Sequence, residues 1–509
     1  MLPACRTAGE SFAIPTFDVV PSDVAGFMEE LWEFQSAFHD CFARSEPRAH
    51  FFDYMVGQLS QLDRKSIEPM ALEVEGGTIR GMQRFISEVR WDEEQMQWNY
   101  HQLVADELGE PEGVLMFDET GFVKKGKDSV GVARQYCGTL GKVANCQVGV
   151  FAGYASRQGY ALVDKRLFVP EAWFSEAYAA RRTTCDVPTE LTFSTKPQLA
   201  AAMLQAMAHE GLLPFQYVVA DCLYGQSPDF LDAVDACVGG TSFVAIPADT
   251  RCWLQRPSPT DQTYRYTGEE RSKRVLVTPD NAARPVAAMA ASRPASRWDR
   301  RTGSEGTKGP IVYALARLRV TLCKEELPER TVWLVIKRTV GAEPVYSYYI
   351  SNAPVSAPWH TFVWLSGLRW AIEQCFDESK TALGMDHYEV RKYPGWHHHR
   401  WMTMLAHFFL WHRKLHLGKK SAGPHRVAAA DPIGSRLPPA AISHCRGTGI
   451  RGVGAAAPLP GVSSTSSAAP RGWMTFWRSE RRGCPWCETI DVVLSDISPG
   501  SRWNAGEYL

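Results

Sequence analysis

The 509-residue sequence predicts an α/β protein. Its mixed sheet has flanking helices, is interrupted by a β-rich insertion, follows an all-helical N-terminal domain and leads into a low-complexity tail. Three observations predict this. Between residues 109 and 240, short apolar runs that end at an aspartate alternate with a hairpin and an amphipathic helical pattern. Helical periodicity fills the stretch before them, and short segments rich in β-branched and aromatic residues fill the stretch after them. From Ser421 to Arg471, Ala, Gly, Pro, Ser and Arg dominate without a period, a composition that cannot bury a core. The expected units are a helical domain over 1–108, a core over 109–240 and 355–417, a β-rich insertion over 241–354, and a disordered tail over 418–509.

Val24 to Phe42 repeats apolar residues at helical spacing, and SEVRWDEEQMQWNYHQLVADELG continues the pattern after a break. Arg64, Lys65, Arg80 and Arg84 lie between or on these helices and are candidates for phosphate contact, against the alternative of a solvated helix face. VLMF at 114–117 reads as a strand buried on both faces, with Asp118 at its end, Gly121 opening the loop and the basic turn KKGK beyond. CQVGVFAGYA and YALVDKRLF, joined by a short polar loop ending in Gly159, read as an antiparallel hairpin. KPQLAAAMLQAMAHEGL reads as a helix stopping at Gly211, and FQYVVA as a buried strand running into Asp221.

A helix crossover makes the two Asp-bearing strands parallel, and adjacent parallel strands put their carboxyl ends on one edge. Asp118 and Asp221 are therefore expected to face each other. Paired carboxylates repel unless a cation neutralises them, which implies a divalent ion. Asp164, Asp229, Asp232 and Asp235 compete for the second place, and strand position favours Asp221.

The insertion carries Arg293, Arg297, Arg300, Arg301 and Lys308 around Trp298, closed by GTKGP. Basic side chains beside an aromatic suit backbone contact with stacking on an unpaired base; a core Trp beside a solvated loop is the competing reading. Trp359 to Leu383 is expected to form one helix with Leu365, Leu368, Ile372 and Phe376 on its buried face. Arg369, Glu373 and Lys380 lie within roughly 40° of one another around its axis, so that a carboxylate projects between two cations. A surface ion pair is the commoner meaning of such spacing. Downstream of two strand-end aspartates, however, it supplies a third acid and two phosphate-binding groups.

The segments FDETGFVKKGK, SVGVARQYCGTLGK, VVADCLYG and RWAIEQCFDESKTALGMDHYEVRKYPGWHHHRW together resemble the DDE transposases of bacterial insertion sequences, in the branch with a β-rich insertion between the second Asp and the Glu. The resemblance spans roughly Pro21 to Leu417. It implies an RNase H-like core in which Asp118, Asp221 and Glu373 are the catalytic, metal-holding triad. Magnesium suits such all-carboxylate ligation, with manganese as a substitute. The family's last-helix signature is Tyr-x2-Arg-x3-Glu-x6-Lys; Arg369, Glu373 and Lys380 match it, and Ser366 stands in the place of the Tyr. The implied activity is DNA strand cleavage and strand transfer at the ends of an insertion sequence. Arg369, Lys380, Trp298, Arg300, Arg301, Lys308, Arg391 and Lys392 are the expected DNA contacts, with the helical N-terminal domain also on DNA. His397, His398 and His399 are expected to lie on a basic loop against DNA with Arg391 and Lys392. The expected partner is double-stranded DNA, as terminal inverted repeats and target, bound by a homodimer.

A net charge of −1 argues against a protein that coats nucleic acid without specificity. No apolar run is long enough for a bilayer, and the first residues lack a secretory pattern, so a cytoplasmic protein that meets the nucleoid when acting is expected. Scattered single cysteines read as reduced thiols. CPWC at 484–487 has no surrounding βαβ pattern and makes a weak redox motif. Two other readings remain: a DNA-binding remnant without catalysis, and a paired-carboxylate glycoside hydrolase, which needs no cations beside its Glu.

Overall fold

A computed structural model describes residues 26–420 except 238, 268, 277–281, 307–308 and 342. The 421–509 tail and Lys308 lie outside the described residues. Helices α1 (Phe27–Ser36), α2 (Ser45–Leu59), α3 (Ile67–Glu73), α4 (Ile79–Ser87) and α5 (Glu93–Leu108) lead into strands β1 (Val114–Val123), β2 (Ala133–Cys137), β3 (Lys142–Ala155) and β4 (Tyr160–Phe168). Then come α6 (Ala179–Thr184), α7 (Lys196–Glu210), β5 (Tyr217–Ala220), α8 (Cys222–Gly225), α9 (Pro228–Ala236) and β6 (Thr241–Ile246). The insertion supplies β7 (Arg251–Trp253), β8 (Pro259–Tyr266), β9 (Glu269–Leu276), β10 (Arg284–Pro285), α10 (Val286–Ala291), β11 (Asp299–Gly306), β12 (Gly309–Lys324), β13 (Leu327–Thr339) and β14 (Tyr346–Ser351). Helices α11 (Trp359–Leu368), α12 (Trp370–Leu383) and α13 (Tyr393–Lys420) complete the described chain.

One 12-stranded sheet runs in the order β10-β7-β12-β13-β14-β6-β5-β1-β3-β2, with β11 on β12 and β4 on β3. The predicted hairpin is β3–β4, antiparallel from Val148↔Phe168 to Ala155↔Tyr160. The predicted crossover is α7, which starts with a capping box at Thr195 and Gln198 and ends at Gly211 in the left-handed conformation. It returns the chain to β5, parallel to β1.

Three expectations need correction. First, the strand of Asp118 continues to Val123, because β3 pairs with all of it; Gly121 lies within the ladder and opens no loop. Second, Thr241–Ile246 pairs in parallel with β5 and antiparallel with β14, so most strands read as an insertion extend the core sheet, and β8 and β9 alone form a separate two-stranded sheet. Third, α1–α5 are not packed apart from the sheet; they share its hydrophobic core. Tyr54 hydrogen-bonds His399 Nδ1 at 2.7 Å, Gln58 donates to Thr403 at 3.0 Å, and Tyr100 donates to the Leu162 carbonyl at 2.7 Å. Periodicity reveals an apolar helix face but not the element that covers it. Here the cover is α13, a central helix whose Trp396 lies so close to the sheet that a Cβ on Gly149 would come within 2.8 Å of its ring.

Candidate active site

The parallel ladder of β1 and β5 ends at Phe117↔Ala220, so Asp118 and Asp221 are the first residues beyond it on neighbouring strands. Asp118 Oδ1 accepts from the Glu119 amide at 2.8 Å. Asp221 caps α8, its Oδ1 accepting from the Leu223 amide at 2.9 Å. Carboxylate oxygens of Asp118, Glu119 and Asp221 all lie within 4.8 Å of one another. Burial and then the like charge of Asp221 push Asp118 up to about 8, against the pull of Arg369. Burial and Glu119 likewise raise Asp221. Three oxygen donors whose charges oppose one another suit a hard divalent cation.

The helix predicted over Trp359–Leu383 is broken at Arg369, which ends α11 and begins α12. Leu365, Leu368, Ile372 and Phe376 are buried as their spacing requires. Arg369 donates to Glu373 Oε1 from Nε at 3.0 Å and from Nη2 at 2.8 Å. Burial works against its charge, yet Asp118, Glu373 and Asp221 together hold the guanidinium more firmly protonated. Lys380 does not frame Glu373 as expected: it reaches along the strand and donates to Thr120 Oγ1 at 2.6 Å and Thr139 Oγ1 at 3.0 Å. Glu373 does not join the three clustered acids, because its half-exposed carboxylate is taken by Arg369. Ser366, in the place of the family's Tyr, is buried and turns its hydroxyl to the Val363 carbonyl.

The remaining candidates scatter. Trp298 is half-buried, with the Arg338 guanidinium 4.0 Å from its ring centre and Tyr346 at its edge, so that face is not offered to a base. Arg300 is exposed, and Arg301 lies 3.6 Å from Asp299. Arg391 and Lys392 are in the segment before α13, near Asp128 at 3.8 Å and Asp186 at 2.9 Å. The three histidines after them lie on α13, not on a loop, and are all buried. Lys65 is buried as well, donating to the Gln58 and Ser60 carbonyls, which removes it as a phosphate contact. Arg64 and Arg84 are paired with Glu389 and Glu88.

Sequence reasoning missed Glu119, which strand alternation sends to the face opposite Asp118. At the end of the parallel ladder both side chains reach the same gap. Lys196 Nζ holds Glu119 Oε1 at 2.8 Å, and the Tyr224 hydroxyl donates to Oε2 at 2.8 Å. The available signal was the pair DE at the strand edge with a Tyr three residues after Asp221. Lys337 was missed too: it donates to the Ser366 carbonyl at 2.9 Å, and burial together with Arg369 lowers it to about 8.

A mixed sheet that brings carboxylates together at the ends of adjacent parallel strands, with Arg and Lys beside them, defines an acid-cluster α/β protein. The chain belongs to the DDE superfamily endonucleases, whose family model matches residues 37–310, more than half of its length. That span contains Asp118 and Asp221 and stops before Glu373. The chain is 26% identical over 352 residues to a probable transposase for insertion sequence element IS701 of Microchaete diplosiphon, covering 67% of this chain and 77% of the relative. Among solved structures, a piggyBac transposase synaptic complex with hairpin DNA aligns over 80% of this chain and 77% of that one, with a TM-score of 0.36 and 7% identity. Among the described residues no helix is long and apolar enough to cross a membrane, and every described cysteine is a free thiol.

Proposed function

We infer that this DDE-superfamily chain cuts DNA strands and transfers them at the ends of an insertion sequence, using Asp118, Asp221 and Glu373 on an RNase H-like core. The register that ends the β1–β5 ladder at Phe117↔Ala220 carries this reading, since it sets two carboxylates side by side beyond one sheet edge. Asp118 and Asp221 would hold a divalent ion, magnesium or in substitution manganese. Glu373 would complete the set. Its tie to Arg369 is a half-exposed i,i+4 pair, worth about 0.3–0.5 kcal/mol and easily exchanged. A bound divalent ion supplies charge to stabilise the leaving oxygen and to activate the attacking hydroxyl.

The chain's own groups do the rest. Arg369 is the guanidinium nearest the acids and suits a phosphate oxygen in bidentate contact once Glu373 lets go. Lys380, fixed by Thr120 and Thr139, sets a second cation two residues along the strand from Asp118. Exposed Arg300 and Arg391 are further phosphate contacts on this reading. The partner is double-stranded DNA at the element's terminal repeats, bound by a homodimer, in the cytoplasm where the nucleoid lies.

The test is cleavage of a supercoiled plasmid carrying the element's ends. Asp118→Asn, Asp221→Asn and Glu373→Gln are each expected to bind the ends and leave them uncut in magnesium. Cutting at the wild-type rate by any of these variants overturns that residue's assignment, and cutting by all three overturns the reading.

A further inference from the structure

Strand β3 is longer than its partner on one side. Its residues from Val148 onward pair with β4, while Lys142 to Cys146 pair with β2, the last strand of the sheet. The β2–β3 hairpin therefore projects past β4. In register, Arg134 stands opposite Asn145 and Tyr136 opposite Val143, so these four share one face. Following the ladder into β1, that face is the one bearing Phe122, Thr120 and Asp118, which pair with Gln147, Gly149 and Phe151. Tyr136 is 59% exposed and Val143 55%, an apolar pair set side by side in water. The opposite face is closed by a small cluster of Cys137, Cys146 and Val148.

The hairpin tip is tied to the candidate site. Thr139 Oγ1 donates to the Gly121 carbonyl at 3.0 Å and accepts from Lys380, which also holds Thr120. Charge here is one-sided. From residue 129 to residue 163 the sequence contains Arg134, Lys142 and Arg157 and no Asp or Glu, and the basic run Lys124, Lys125 and Lys127 precedes it. Arg134 and Lys142 are exposed and, among the described residues, have no carboxylate partner, unlike Arg157, Arg330 and Lys392.

We propose that the exposed face of the β2–β3 hairpin is a contact surface for duplex DNA beside the scissile phosphate. Arg134 meets a backbone phosphate from this face, exposed Lys142, paired with Cys137 at the hairpin end, reaches a second from the rim, and Tyr136 and Val143 pack against the sugars of a groove. This rests on the strand-cleavage reading above and adds to it a second anchoring point. A two-stranded ribbon has the width to lie in a DNA groove, and an apolar pair flanked by cations matches the sugar and phosphate edges of one. A second copy of this chain is the competing occupant, and an apolar pair with an unpaired cation beside it and another at its rim suits it less.

The experiment compares the full chain with Tyr136→Ala and with an Arg134→Ala/Lys142→Ala double variant, on a duplex carrying the element's end. All three substitutions are at exposed positions, and equal thermal midpoints check that the fold is kept. The double variant is expected to reduce the slope of log affinity against log salt by about 2, one per phosphate contact. Tyr136→Ala is expected to weaken binding several-fold and, like the double variant, to lose hydroxyl-radical protection of the duplex beside the cut. An unchanged slope and footprint in variants of a protein that cuts overturns the proposal and leaves the cleavage reading intact. Loss of self-association without DNA, with the slope unchanged, assigns the face to a second copy and also overturns it. A wild-type protein that neither binds nor cuts the duplex brings down both readings.

Discussion

Two clusters of charge in the same fold treat a carboxylate in opposite ways. In the first, Glu93 accepts from Lys165 Nζ at 3.0 Å and from Trp401 Nε1 at 2.9 Å, with His397 and His398 about 4 Å away. Burial works against its charge, yet Lys165 and the two histidines hold it well below the usual carboxylate range. In the second, Asp118 is pushed up to about 8 by burial and by Asp221. The Glu93 cluster is complete, because each charge has a fixed partner and the network joins α5, β4 and α13. The Asp118 cluster has more acid than fixed cation can balance, since Arg369 is shared among three carboxylates. Charge left over in a rigid frame marks where a ligand belongs; charge used up marks a structural joint.

The largest effect expected from this contrast is a crossed pair of outcomes. Asp118→Asn should reduce cleavage to background while the thermal midpoint stays level or rises, because a repelled charge is removed. Glu93→Gln should do the reverse: cleavage persists at permissive temperature, and stability falls. Lys165, 2% exposed, would lose its counter-charge. A fully buried pair broken this way costs about 3–5 kcal/mol. Glu93 keeps some contact with water, which brings the expected loss to roughly 2–3 kcal/mol. Denaturant unfolding together with plasmid cleavage measures both, and a stable, inactive Glu93→Gln would break the contrast.

A smaller effect tests which side of the comparison Glu119 is on. It belongs to the acid cluster by distance, yet it also has fixed partners in Lys196 and Tyr224. If it serves the cation, Glu119→Gln should weaken manganese binding, read by electron paramagnetic resonance, by roughly 10-fold, the lower end for groups that orient metal ligands. Glu373→Gln should weaken it to a similar degree. Unchanged manganese affinity in Glu119→Gln, with a lowered thermal midpoint, would move Glu119 to the structural side.

The clusters were not equally legible in the sequence. Asp118 and Asp221 could be paired because a strand, a helix and a strand in order permit one arrangement, and that rule needs no side-chain detail. Glu373 could be found by its helical spacing to Arg369, but not its distance from the aspartates, which depends on the break at Arg369. The Glu93 network could not be read. Its members come from residues 93, 165, 397, 398 and 401, and nothing local says that a row of histidines is buried against a carboxylate some 300 positions earlier. The same distance in sequence hid the docking of Tyr54 on His399 and made the first helices look independent.

The last effect is in the pH dependence of stability, where the two clusters have opposite signs. Burial lowers His398 to about 4, although Glu93 raises it and its Nδ1 donates to the Ile86 carbonyl at 2.8 Å. Between pH 6.5 and 4 the unfolded chain takes up a proton at this position and the folded chain does not, so stability falls as pH drops through that window. Asp118 acts the other way: the folded chain holds its proton up to about pH 8, so its contribution falls as pH rises from 3.8. The two partly cancel between pH 4 and 6.5. Asp118→Asn removes one side, and its thermal midpoint should fall more steeply on acidification than that of the wild type. His398→Gln loses the ring stacked on Trp91 at 4.1 Å and should start lower. Its slope between pH 6.5 and 4 should nevertheless be shallower than wild type by up to one proton, about 1.4 kcal/mol per pH unit. Parallel pH profiles for wild type and both variants would mean that neither group carries the assigned shift, and the contrast between a filled and an overcharged cluster would have to rest on geometry alone.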